Sequence, residues 1–462
     1  VLEKLFYPKS IAVIGASREQ GKVGHSILKN LLQYGFPGKI YPINPKAEEI
    51  LRIKTYSTIF AVQGEIDLAV VAIPAEFVPS ILRDCVNKKI GAVIIISAGF
   101  KESGKQGSQL ERELVEIIKN SGIRVLGPNC LGIIDTTSSL NASFAAGMPS
   151  RGNIAFFSQS GALCTAVLDW ALEEDVGFSK FISLGNKADI DEVDLLLSLA
   201  EDAETKVILG YLEGIEDGVR FMEVAREVSR KKPVIIIKSA RTQAGAKAAS
   251  SHTGTLAGLD TAYEAAFRQC GIIRAETVQT LFDYAIAFAQ QPIPRGPNLA
   301  ILTNAGGPGI IAADAVENSI LQMASFREDT VSKLRKELPS NASVYNPVDV
   351  IGDAGADRYE KAMKIIVDDP GVDSLTVILA PQAMTDIKET AEVISKISST
   401  VSDKPIVASF MGQLEVKEGR KILRSGKIPN YPYPERTISA LEAMVKYEKL
   451  KQTPPGKIHS LF

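Results

Sequence analysis

Short continuous apolar runs alternate along the chain with stripes of apolar residues at helical spacing. In the first third the runs fall at 11–14, 68–73, 92–97 and 125–126, in the middle at 180–184, 207–212 and 234–238, and in the last third at 299–302, 374–379 and 406–410. Runs of this length, apolar at consecutive positions, predict strands covered on both faces, as in parallel sheets. Between them lie helical patterns at 111–120 and 193–201, and a stripe made by Ile387, Ala391 and Ile394. Strand and helix in alternation predict right-handed βαβ crossovers with helices on both sheet faces. No run approaches the ~18 apolar residues of a membrane helix.

One design recurs three times. Ile11-Ala-Val-Ile-Gly-Ala-Ser17, Ile154-Ala-Phe-Phe-Ser-Gln-Ser-Gly161 and Leu299-Ala-Ile-Leu-Thr-Asn-Ala-Gly-Gly-Pro-Gly309 are each an apolar strand ending in small residues before a helix. The interval between them is domain-sized, not that of a solenoid. Gln290-Gln-Pro-Ile-Pro-Arg-Gly-Pro297 is the clearest break, and a softer one lies at 147–152. Three α/β domains are therefore expected, at 1–149, 150–294 and 295–462. The tail from 452 carries Pro454 and Pro455 and is expected to be a docked or frayed end.

Composition adds exclusions. With 52 Lys and Arg against 54 Asp and Glu, the net charge is -2, which gives no electrostatic case for a nucleic-acid or membrane-surface partner. Four cysteines stand far apart without CxxC spacing, against a zinc site or a disulfide framework and in keeping with a reducing cytoplasm. No charged segment leading into an apolar one opens the sequence, so a secretory signal is not expected.

The first glycine turn, Gly15-Ala-Ser-Arg-Glu-Gln-Gly-Lys-Val-Gly24, fails the GxGxxG fingerprint because Ser17 and Gln20 stand where glycines are required. Its small residues, with Arg18 and Lys22, still suit a phosphate-bearing nucleotide at a helix N-terminus. Asn44-Pro-Lys46 follows the second strand, where adenosine is commonly recognised in such folds. An ordinary strand-to-helix turn with solvated charges is the plain alternative.

The chain has three histidines. His459 lies near the C-terminus, and His25 is expected to be a structural residue on a helix surface. His252 stands in Ala248-Ala-Ser-Ser-His-Thr-Gly-Thr-Leu-Ala-Gly258, among small residues with little apolar area to anchor them. A capping or turn histidine is one reading; a nucleophile toward phosphorus is the other. Phosphohistidine chemistry needs a carboxylate for the second ring nitrogen and donors for the phosphoryl oxygens. Glu213, at the end of the run 207–212, is a candidate carboxylate, although a solvated loop residue is the plain reading. Ser158, Gln159, Ser160 and Gly161, and Asn304, Gly306 and Gly307, open helices whose N-termini suit an anion, or are simple βα turns.

These segments, with Gly127-Pro-Asn-Cys-Leu-Gly132, Gly185-Asn-Lys-Ala-Asp189, Tyr211-Leu-Glu-Gly214, Ser251-His-Thr-Gly254 and Asn346-Pro-Val-Asp349, occur in one order over nearly the whole chain. In them the sequence resembles the α subunit of ADP-forming acyl-CoA synthetases of the acetyl-CoA synthetase type, relatives of succinyl-CoA synthetase. The resemblance implies a Rossmann-like CoA-binding domain followed by two flavodoxin-like parallel-sheet domains. It implies His252 as the phosphorylated residue, Glu213 as its partner, and both anion-binding turns as phosphoryl sites. Gly15, Ser17, Arg18, Lys22, Asn44, Pro45 and Lys46 would follow CoA or acetyl-CoA, with Ile73, Pro74, Ser97, Ala98 and Gly99 beside it and Asn129 near the thioester. Family members also carry an ATP-grasp domain, for which no span remains here. A separate β subunit binding ADP or ATP with Mg²⁺ is therefore implied, as an α2β2 assembly, with a small carboxylic acid as product. A CoA-binding regulatory scaffold without turnover is the alternative; an NAD-dependent oxidoreductase is disfavoured by the missing glycine, and a protein acyltransferase by the lack of a further domain.

Overall fold

The structure is a computed structural model and describes residues 2–245, 247 and 259–453. It divides into two compact units, Val1–Arg274 and Ala275–Phe462. The sequence boundary at 294/295 falls inside the second unit: helix Val278–Gln290 packs along Pro434–Gln452, and the Gln291 amide bonds both the Lys427 carbonyl and the Ile406 N–H.

The first unit holds two large sheets. In one, strands Lys39–Ile43, Ser10–Ile14, Leu68–Val71, Ala92–Ile95 and Arg124–Leu126 lie side by side in that order, all parallel. The chain's first strand is thus flanked by its second and third, and the strand order reverses beside it, which is where doubly wound sheets open a ligand crevice. Both faces are covered, as the continuous apolar runs required. Ile11 and Val13 join Ile27, Leu28 and Leu31 of helix Val23–Gln33. Ala12 and Ile14 join Leu82 of Val78–Asn87 and Leu114 and Ile118 of Lys105–Ser121 on the other face. The strands expected at 68–73 and 92–97 stop earlier, at Val71 and Ile95. Beyond them Ser97 replaces strand pairing: its hydroxyl accepts the Ile73 N–H and donates to the Ile73 carbonyl.

The second sheet runs Ile273–Arg274, Val234–Lys238, Val207–Leu212, Arg151–Ser158 and Phe178–Ser183, all parallel, as flavodoxin-like folding requires. Its edge is completed by a hairpin that the sequence pattern did not announce. Gly132–Asp135 and Leu140–Ser143 pair antiparallel with each other, and the former pairs antiparallel with Phe178–Ser183. Helix Val23–Gln33 packs on this hairpin, and the buried Asn30 amide donates to the Ser143 and Ala145 carbonyls, each at 2.9 Å. One apolar cluster accordingly runs from Ile11 and Leu28 through Ile133 and Ala142 to Phe157 and Ile208.

The second unit has its own parallel sheet, in the order Gln322–Met323, Asn298–Thr303, Ser374–Leu379 and Ile406–Phe410, with Val348–Asp349 pairing beside Asn298–Thr303. Its core joins Leu302, Val377 and Ala408 to Tyr359, Met363 and Ile394. No described helix is long and apolar enough to cross a membrane.

Candidate functional site

The first glycine turn is shaped by contact. Gly15 has φ +90°, and a Cβ there would stand 2.2 Å from the Ala72 carbonyl oxygen; a Cβ on Gly24 would stand 2.0 Å from the Gly15 carbonyl oxygen. Only glycine lets the turn close on the third strand and the helix start close on the turn. His25, expected on a helix surface, is instead buried, because its ring Nδ1 reaches the Ser17 carbonyl oxygen at 3.0 Å and braces the same turn. Asn44 is a second brace: its amide donates to the Ala16 carbonyl and its oxygen accepts the Lys46 N–H. Arg18 reaches the Lys46 carbonyl at 3.4 Å, so Arg18, Asn44, Pro45 and Lys46 lie together beside the turn.

A cavity of about 850 Å³ opens at the carboxyl edges of both sheets of this unit. Gly15, Ser17, Lys22, Ile73, Pro74, Ser97, Ala98 and Asn129 line it from the first sheet; Gln159, Ser160, Gly161 and Glu213 line it from the second. Arg18, Asn44, Pro45, Lys46, Gly99 and Ser158 do not line it. Ile96, Leu131 and Phe144 add an apolar wall.

The helix Gly161–Glu173 points its N-terminus into this cavity. Ser160 caps it by accepting the Leu163 N–H, and Ser158, fully buried, accepts the Ser160 N–H and donates to the Ser160 carbonyl. Ser158 and Ser160 thus shape the turn. Gly161 and Ala162 supply the first helical N–H groups at the cavity wall, the arrangement that favours an anion. Gln159 is committed elsewhere. Its N–H donates to the Tyr211 carbonyl, its amide oxygen accepts the N–H groups of Glu213 and Gly214, and its amide nitrogen donates to the Gly214 carbonyl and to Glu192.

Five charged or amide residues that the sequence reading gave no role also line the cavity: Lys101, Glu102, Asn186, Lys187 and Glu216. The Asn186 amide donates to Glu102 and Glu111, and its own oxygen accepts from the Asn129 amide at 3.3 Å. Burial pushes the Glu102 carboxyl up, but the Asn186 amide and the N–H groups of Gly99 and Phe100 outweigh it and hold the group below its ordinary range. Lys187 lies against Glu192, whose carboxyl burial raises while the Lys187 ammonium opposes the rise. The signal was present in Gly185-Asn-Lys-Ala-Asp189, a motif noted only for its resemblance.

His252 lies outside the described residues. In the second unit, Gly306–Glu317 starts at the other glycine turn. Asn304 is buried, and its amide group exchanges two hydrogen bonds with the Ala380 backbone, which leaves Gly306 and Gly307 as the helix start. The Asp349 carboxylate stands beside that start, 3.6 Å from where a Gly306 Cβ would be. Among the described residues no group of three or more His, Cys, Asp or Glu is placed to hold a metal ion.

Comparison with known proteins agrees with this layout. Residues 9–136 match a CoA binding domain, 151–288 a succinyl-CoA ligase like flavodoxin domain, and 299–453 a ligase-CoA domain. The α subunit of acetate–CoA ligase [ADP-forming] I of Pyrococcus furiosus is 45% identical over 455 residues, 97% of this chain and 98% of that one. Acetate–CoA ligase [ADP-forming] I of Archaeoglobus fulgidus is 47% identical over 97% of this chain, which spans 64% of that longer protein. A solved structure, the Ca. Korarchaeum cryptofilum dinucleotide forming acetyl-coenzyme A synthetase 1 in complex with phosphate and ADP, superimposes with a TM-score of 0.94 at 40% identity over 98% of each chain. With likeness of this depth over nearly its whole length, the chain belongs to the ADP-forming acetate–CoA ligase family, as an α-subunit-type member of the succinyl-CoA synthetase-like superfamily.

Proposed function

We propose that the chain is the α part of an ADP-forming acyl-CoA synthetase, converting acyl-CoA, phosphate and ADP to carboxylate, CoA and ATP. The reading rests above all on the cavity that gathers the Gly15 turn, the start of Gly161–Glu173 and Glu213 at one place. The glycine cradle at Gly15 and Gly24, with Ser17 and Lys22, fits a phosphate-bearing nucleotide tail. Ser97, Ala98 and Asn129 continue the same wall toward the second sheet, where the acyl thioester would lie. Gly161 and Ala162 would hold inorganic phosphate, or the phosphoryl group it becomes, by N–H groups and helix dipole.

Phosphate attacks the thioester carbonyl, the C–S bond breaks, and CoA leaves as thiolate with acyl phosphate formed. A ring nitrogen of His252 then attacks phosphorus, and the carboxylate leaves. Phosphohistidine finally passes its phosphoryl group to ADP. The stepwise route keeps the thioester free energy in a covalent bond, and catalysis is chiefly positioning and charge stabilisation. Glu213 favours the reactive tautomer of His252 and the imidazolium that develops. ADP with Mg²⁺ belongs to a separate ATP-grasp β subunit in an α2β2 assembly, a reading supported by the separate α subunit of the Pyrococcus relative. The acyl group is that of a small carboxylic acid such as acetate.

The test is labelling with radioactive phosphate in the presence of acetyl-CoA. Acid-labile label is expected on the full chain, lost in His252→Ala while CoA still binds. Glu213→Gln is expected to slow single-turnover labelling at least about tenfold. Label retained in His252→Ala removes the histidine assignment.

A further inference from the structure

The Gly185–Asp189 motif and Gln159 converge on two residues, and the convergence is built from backbone contacts. Loop 185–190 runs beside 125–129, with Asn186, Ala188 and Ile190 donating N–H groups to the carbonyls of Pro128, Gly127 and Val125. A Cβ on Gly185 would stand 2.2 Å from the Pro128 carbonyl oxygen, so the approach depends on glycine. This fixes Lys187 in the left-handed region, at φ +59°, an unfavourable conformation for a lysine. Its side chain is nearly buried, and its ammonium donates to the Gly214 carbonyl at 3.1 Å and to Glu192 at 3.0 Å.

Gln159 reaches the same turn from the other side. Its amide oxygen accepts the N–H groups of Glu213 at 2.6 Å and Gly214 at 3.1 Å, and its amide nitrogen donates to the Gly214 carbonyl at 2.8 Å and Glu192 at 3.3 Å. The two N–H groups and the Gly214 carbonyl are therefore held by two side chains, both tied to the buried Glu192. Glu192 is itself fixed at the first turn of Glu192–Glu201, which Asp191 closes with a capping box. A turn carrying only solvent contacts would let the Glu213 carboxylate wander; this one is clamped at both N–H groups and at the Gly214 carbonyl.

We propose that Gln159 and Lys187, anchored on Glu192, are positioning residues that aim the Glu213 carboxylate. The inference rests on the role given to Glu213 above. It also moves Gln159 from ligand to support: its N–H and amide hydrogens are engaged inside the protein. Because the same loop holds Asn129 through Asn186, one rigid segment sets the thioester end of the cavity and the Glu213 end together.

The decisive experiment is a double-mutant cycle on single-turnover labelling of the full chain, with radioactive phosphate and acetyl-CoA as probes, alongside calorimetric CoA binding and thermal melting. Gln159→Met and Lys187→Met are each expected to slow labelling about 10- to 100-fold, as misplacement of a reacting group does, with CoA affinity kept. In a Glu213→Gln background the same substitutions are expected to change the rate less than about twofold, because their effect passes through Glu213. Equal slowing in both backgrounds overturns the proposal and marks direct contact with phosphate or general loosening. Should Lys187→Met fail to fold because Glu192 is left as an unpaired buried charge, Lys187→Met with Glu192→Gln removes both charges and takes its place in the cycle. Wild-type labelling that Glu213→Gln does not slow defeats the underlying reading; slowing in Glu213→Gln with normal rates in the Gln159 and Lys187 variants defeats this inference alone.

Discussion

Gly15 and Gly21 separate two reasons for a glycine. Both have positive φ, +90° and +85°, but a Cβ on Gly15 collides with the Ala72 carbonyl while one on Gly21 meets nothing within 4 Å. Gly21→Ala is expected to cost about 1–2 kcal/mol, the backbone term alone. Gly15→Ala adds displacement of the third strand and is expected to cost about 3 kcal/mol or more and to weaken CoA binding, read by melting and calorimetry. The turn itself was legible, because a strand, a glycine and a helix follow one another in the sequence. The duties of its neighbours were not. Asn44 was read from its place after a strand and Gln159 from an anion-binding turn at a helix N-terminus; that their amides also satisfy backbone groups of Ala16 and of Glu213 and Gly214 could not be read there. Such partners lie far along the chain, and residue type alone does not name them.

Among the elements, helix Glu192–Glu201 shows how local chemistry sets a boundary. Asp191 accepts the N–H groups of Val193 and Asp194, and the Asp194 side chain returns to the Asp191 N–H. The apolar stripe from 193 located this helix, and the acidic pair explains its start. Arg220 clasps both aspartates, at 2.8 and 2.6 Å. Asp191→Ala is expected to lower stability by about 1–2 kcal/mol, measurable by urea unfolding. It should also slow labelling if Glu192 anchors the Glu213 turn. The hairpin at 132–143 escaped the pattern for an equally local reason. Its strands are four residues each, too short for a period, and Asn141 and Ser143 are buried polar residues. They are satisfied by each other and by the Gly147 carbonyl, so their polarity disguised an interior strand.

Across the molecule, the thrice-repeated strand, glycine turn and helix was the most readable feature, because a buried parallel strand must be apolar at every position. The charge relations between segments were unreadable and shape the response to acid. Glu102 and Asp202 sit in settings where burial, the largest single influence, raises the carboxyl, but their partners together, Asn186 and backbone N–H groups for one and Thr205, Lys180 and Tyr7 for the other, hold it low. A lowered carboxyl stabilises the fold above its unfolded value of about 4 and loses that contribution as pH falls through the folded value. Glu192 has the opposite sign: its raised carboxyl costs stability as pH rises from about 4.3 through the folded value. The melting temperature is expected to fall below pH ~4, and Glu102→Gln should flatten that acid limb while lowering stability at neutral pH.

The crossing hairpin carries a practical corollary for anyone dissecting the chain. The CoA binding domain match ends at 136, between the hairpin's two strands, Gly132–Asp135 and Leu140–Ser143. A fragment starting at 151 would present Phe178–Ser183 as a naked border with open hydrogen-bonding groups and recruit other copies of itself. A fragment spanning 1–274, which keeps the hairpin on that border, is expected to remain monodisperse in light scattering. Evolutionary exchange of the nucleotide-binding half should likewise move this ribbon with it, since the graft that leaves it behind inherits a sticky seam.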